Sequence, residues 1–81
     1  MPKIEIYTRP DCGYCMRATM LLNSMELAYD EYDVYAEPGK KLELQSRVNY
    51  STYPQIFIDD NAIGGFDDLV NLANQTSLPT T

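Results

Sequence analysis

Cys12 and Cys15 are the residues best suited to chemistry: they are the chain's two cysteines, they stand three apart, and no histidine accompanies them. A structural zinc site takes four Cys or His ligands, and this chain offers two. A disulfide framework of the secreted kind closes long loops with several pairs, and so short a spacing closes almost none. What remains is a redox pair or two coincidentally close thiols, and a Cys-x-x-Cys beside a strand-helix-strand pattern favours the first. Cys12 falls where a helix is expected to start, so unpaired backbone N–H groups and the helix dipole favour its thiolate. Arg9 and Arg17 add positive potential there, and Asp11 opposes it. In the expected exchange Cys12 attacks a disulfide sulfur, and either Cys15 or a small thiol cofactor then releases the product. With no histidine and no Gly-rich phosphate loop, hydrolase and kinase readings have no support.

Elements must place this pair. Lys3 to Thr8 alternates and is rich in β-formers, so it reads as a strand, broken by Arg9-Pro10-Asp11. From Gly13 to Met25 the residues Met16, Met20, Leu21 and Met25 recur at helical spacing, with Ala18 and Leu22 beside them. Asp30 to Tyr35 reads as a second strand. Pro38 suits a first helical turn, and Leu42, Leu44 and Val48 mark a helix over Lys40 to Val48. Gln55 to Ile58 is a third strand, Asp59-Asp60-Asn61 is turn chemistry, and Ala62-Ile63 completes a hairpin. Asp67 and Asp68 open a last helix carrying Leu69, Val70, Leu72 and Ala73. The order β-α-β-α-β-β-α is an α/β fold: two parallel strands joined by a right-handed crossover, extended by an antiparallel hairpin into one four-stranded mixed sheet flanked by three helices. Residues 1–81 make one domain, with a frayed tail expected over 76–81.

Composition narrows the partners. The formal charge of −6 argues against a nucleic-acid footprint. No apolar run exceeds three residues, which excludes a membrane-spanning helix. Residues 1–25 are slightly cationic and the remainder strongly acidic, a distribution suited to a small anionic ligand near the first 20 residues. No secretory leader is visible, so a cytoplasmic place of work is expected.

Three segments, taken with the first strand, resemble the glutaredoxins: Cys12-Gly13-Tyr14-Cys15, Thr52-Tyr53-Pro54-Gln55-Ile56-Phe57-Ile58 and Gly64-Gly65-Phe66-Asp67-Asp68-Leu69 match in order and spacing. The resemblance runs from about Lys3 to Asn74. It implies a thioredoxin-like fold and a dithiol enzyme that uses glutathione to reduce protein disulfides and glutathionyl mixed disulfides, with Cys12 as nucleophile and Cys15 as resolving thiol. It also implies a glutathione site. Pro54 would be cis and face Cys12, and the backbone of Tyr53, beside Thr52, would pair with the cysteinyl part like an added strand. Asp67 and Asp68 would take the γ-glutamyl end, unless they serve only as helix caps. Arg9 and Lys41 would hold the glycyl carboxylate, with Arg47 as a substitute for Lys41, and Tyr14 would flank the sulfur.

Three positions depart from the pattern. Gly13 stands where the commonest motif has Pro, which restores an N–H and loosens the turn. In this family, loss of that Pro goes with a two-iron two-sulfur cluster shared by two protomers, each giving its first cysteine (here Cys12), with bound glutathione supplying the other sulfurs. The chain is otherwise expected to be a monomer. Tyr53 replaces a usual Val. Phe66 resembles small redoxins that take electrons from thioredoxin reductase and pass them to ribonucleotide reductase, which is the alternative function. Those lack the Asp pair and the Tyr between the cysteines.

Overall fold

The computed structural model describes residues 2–75, and the tail expected to fray lies outside them. The elements follow the expected order: β1 (Ile4–Thr8), α1 (Gly13–Ser24), β2 (Asp30–Asp33), α2 (Pro38–Arg47), β3 (Gln55–Ile58), β4 (Asn61–Gly64) and α3 (Phe66–Asn74). The sheet runs β2-β1-β3-β4, with β1 parallel to β2 and antiparallel to β3, and β3 antiparallel to β4. This is the thioredoxin-like arrangement. The β3–β4 turn uses Asp59 and Asp60, both at positive φ, as a two-residue hairpin requires. Asp59 also ties β3 to the start of β1, donating its N–H to the Lys3 carbonyl and accepting from the Lys3 N–H.

Every residue of β1 is buried. Alternation predicts one wet face, but helices cover both. Ile4 and Ile6 join Ala18, Leu22, Leu27, Ile56 and Leu69 under α1 and α3. Tyr7 packs with Val34, Leu44 and Phe57 under α2. Glu5, only 4 % exposed, also lies on the α2 side, where Arg47 donates to its carboxylate at 3.1 Å and the Tyr32 hydroxyl at 3.1 Å. The same guanidinium donates to the Tyr7 hydroxyl at 2.8 Å and stacks 3.8 Å above the Phe57 ring. Tyr7 in turn donates to Glu43.

The helix faces differ in part from the expected ones. In α1 the buried residues are Cys15, Ala18 and Leu22, while Met16 and Met20 are 65 % and 63 % exposed. On α2, Leu44 is buried and Leu42 faces solvent. The end of α1 is fixed without glycine. Glu26 takes a positive φ, its N–H meets the Asn23 carbonyl, and the Leu27 N–H reaches back to Leu22, a Schellman closure sealed by the contact of two buried leucines.

Burial, with Glu43 beside Tyr7 and Glu5 beside Tyr32, pushes both phenols up to about 12 from an ordinary 10. A phenol raised in the folded state contributes its full stability below the unfolded value and loses it as pH climbs through the folded one. Urea midpoints are therefore expected to hold up to about pH 10 and fall between about 10 and 12. Replacement of Tyr32 by Phe should make that fall shallower.

Candidate functional site

Cys12 caps α1. Its backbone is extended, its Sγ accepts the Cys15 N–H at 3.2 Å, and its carbonyl accepts the Met16 N–H at 3.1 Å. A sulfur so placed takes the position an N-cap oxygen usually holds, at the positive end of the helix, which favours negative charge on it. Cys15 is buried one turn on, and the two sulfurs lie at disulfide distance with Cα atoms 5.2 Å apart.

Facing Cys12 is the loop that leads into β3. The Tyr53–Pro54 peptide is cis, and the Tyr53 carbonyl oxygen is 3.8 Å from Cys12 Sγ. Pro54 is buried, and the Gln55 side chain braces the loop by donating to the Thr52 carbonyl at 2.8 Å. Tyr53 is steadied by its hydroxyl, which meets that of Tyr50 at 3.1 Å. Burial and this bond push its phenol up to about 12.

The third wall is the start of α3. The Asp68 carboxylate accepts the Gly65 N–H at 2.9 Å, so Asp68 does serve as a cap, while Asp67 beside it is exposed. The N–H groups of a first helical turn have no partner within the helix. Gly64 holds φ +107°, and a Cβ there would overlap the Asp68 carboxylate. Gly64→Ala is therefore expected to lower stability by about 2 kcal/mol, from backbone strain and the displaced cap together. A urea titration measures it.

These walls enclose a groove of about 300 Å³ lined by Tyr14, Thr52, Tyr53, Pro54, Asp67 and Asp68, together with Gly65 and Phe66. Six of the sequence-predicted binding residues thus meet in one place. Tyr14 is exposed, its ring 6.0 Å from that of Phe66 and under the Arg17 guanidinium. Lys41 lies in an adjoining cavity whose wall Tyr53 shares. Arg9 lines a third cavity with both cysteines. Arg47, the expected substitute for Lys41, is instead committed to Glu5, Tyr7 and Asp60. Gly65 and Phe66 are the groove residues outside the expected binding set; their place just before the Asp pair was the available signal.

Among the described residues no group of three or more His, Cys, Asp or Glu could hold a metal ion. An iron–sulfur cluster of the four-thiolate kind would need a second protomer and other thiols.

Comparison with known proteins agrees with this geometry. The profile of the glutaredoxin family matches residues 4–63. Glutaredoxin 3 of Escherichia coli K12 is 43 % identical over 72 residues, covering 89 % of this chain and 87 % of that protein. The structure of glutaredoxin 1 from Francisella tularensis, complexed with cacodylate, superposes with a TM-score of 0.73 at 38 % identity, covering 95 % of this chain and 98 % of that one. A dithiolic glutaredoxin from Trypanosoma brucei brucei does so with a TM-score of 0.80 at 32 % identity, covering 94 % and 81 %.

Proposed function

The chain belongs to the glutaredoxin family of thiol oxidoreductases, and from that premise we propose that it is a dithiol enzyme reducing protein disulfides and glutathionyl mixed disulfides with electrons from glutathione. The observation that carries the reading is the placement of Cys12 Sγ at the Tyr53 carbonyl, beside the groove lined by Tyr14, Thr52, Pro54, Asp67 and Asp68.

The chemistry follows from that placement. The Cys12 thiolate attacks one sulfur of the substrate disulfide; an S–S bond forms to Cys12 as the old one breaks, and the leaving thiolate takes a proton from water. With a glutathionyl substrate the glutathione lies along the groove. Its cysteinyl part aligns with the Tyr53 backbone as an added strand. Its γ-glutamyl carboxylate meets the N–H groups opening α3, and its ammonium meets the Asp67 carboxylate. Arg9 and Lys41, in the flanking cavities, face the glycyl carboxylate. A second glutathione then attacks the glutathionyl sulfur, freeing Cys12 and leaving oxidised glutathione. With a protein substrate Cys15 attacks Cys12 instead, and glutathione later reduces the Cys12–Cys15 bond. The expected place of work is the cytoplasm, where glutathione keeps thiols reduced.

A coupled assay tests this. A small glutathionyl mixed disulfide is offered with glutathione, glutathione reductase and NADPH, and NADPH loss is followed. Fast turnover is expected. Absence of turnover, with a Cys12–Cys15 bond that thioredoxin reductase reduces, would move the chain to the redoxin function and leave Asp67 and Asp68 as caps.

A further inference from the structure

The cavity behind the cysteines holds a charged group that the exchange just proposed does not use. Besides Cys12 and Cys15 it is lined by Thr8 and Glu31, about 320 Å³ in all. The Thr8 side chain is 3 % exposed, and its hydroxyl donates to the Glu31 carboxylate at 3.0 Å. β1 and β2 are in parallel register, with Ile6 opposite Glu31, and Ile6 belongs to the core under α1. A carboxylate on the edge strand, itself exposed, is thereby placed on the side of the sheet where the cysteines sit and tied there by the Thr8 hydroxyl. The other charged groups of the cavity are Arg9 and Asp11, both from the loop before α1; the helix itself adds only the uncharged Gly13, Met16 and Thr19 alongside Cys15.

Closing the Cys12–Cys15 bond removes two electrons from two sulfurs, and opening it restores them. In the reduced pair the helix N-terminus favours negative charge on Cys12 Sγ, whereas the disulfide carries none. A carboxylate lining the same cavity repels a charged reduced state and leaves the disulfide untouched. We propose that Glu31, positioned by Thr8, tunes the Cys12–Cys15 couple toward the reducing side, making the protein a stronger electron donor than its helix cap alone would allow. The proposal rests on the exchange reading above and adds a residue to it. Glu31 is a positioning residue in this sense, acting through the field in the cavity.

The test equilibrates wild type, Glu31→Gln and Glu31→Asp in glutathione buffers of graded ratio and measures the oxidised fraction by alkylation and mass. The balance is two glutathione thiols oxidised to one disulfide for each protein disulfide reduced. Glu31→Gln is expected to shift the equilibrium threefold to tenfold toward the dithiol, about 15–30 mV on the two-electron scale. Glu31→Asp keeps the charge and should stay within about twofold of wild type. In about 1 M salt the difference between wild type and Glu31→Gln should shrink, since charges facing a solvent-open cavity are screened. Coincident wild-type and Glu31→Gln curves would overturn the assignment, as would an equal shift in Glu31→Asp. A wild type that forms no reversible disulfide would overturn the exchange reading as well, so the two failures are told apart by the wild-type curve.

Discussion

Cys12→Ser removes turnover of glutathionyl mixed disulfides by at least about a thousandfold, the scale on which loss of a covalent nucleophile acts. Serine still caps α1, since its Oγ accepts the N–H that Cys12 Sγ accepts now. Its hydroxyl is not ionised at neutral pH and does not attack a disulfide sulfur. Stability should change little while activity vanishes, and urea titration beside the coupled assay separates the two. Cys15→Ser gives the contrasting result. The glutathionyl route persists, because a second glutathione resolves the intermediate, and reduction of protein disulfides through the internal bond is lost. Residual turnover in Cys12→Ser within tenfold of wild type would remove Cys12 from its role.

The second large effect is on stability. Arg47→Met leaves Glu5 buried without its cation and is expected to cost about 3–5 kcal/mol. That is a large share of the total, since a domain of this size holds on the order of 4–12 kcal/mol. The guanidinium also loses its bond to the Tyr7 hydroxyl, its weaker reach to Asp60 and its stack on Phe57. Burial works to raise the Glu5 carboxyl, but the bonds from Arg47 and Tyr32 outweigh it and hold the group below the usual 4.5. A carboxyl depressed by folding contributes stability above its unfolded value and loses it as pH falls through the folded one. Wild type should therefore weaken below about pH 4.5, and Arg47→Met should show a flatter acid limb. The pair Glu5→Leu with Arg47→Met should recover much of the loss, because a well-packed apolar pair replaces a buried ion pair at little cost.

The element order was legible because turn residues punctuate the chain sharply: Arg9-Pro10-Asp11, Glu37-Pro38-Gly39 and Asp59-Asp60-Asn61 each stand at a junction of the fold. The pair of cysteines was legible for the same local reason, as two like residues one turn apart. What escaped was long-range. Glu5 looks like the wet side of an alternating strand, and nothing near it announces that α2 will cover it with Arg47, 42 positions on. Met16 and Met20 look like a core stripe, yet the residues that meet the sheet are the small Ala18 and the buried Leu22. Apolar periodicity marks a helix without saying which of its apolar sides finds a partner. The groove itself came from matching segments; their convergence on Cys12 depends on how β3 and α3 dock, which no single segment encodes.

The place of β1 in the sheet has a consequence for synthesis. It pairs on one edge with β2 and on the other with β3, Ile4 opposite Ile58. A chain emerging from the ribosome amino end first completes β1, α1 and β2 while residues 52–68 are still being added. Until those residues dock, the groove that selects the thiols' reaction partner is unmade, and β1 presents a bare apolar edge of the kind that recruits foreign strands. The chain is reactive before it is selective, so the interval before β3 docks is the one in which a foreign strand or disulfide meets it most readily.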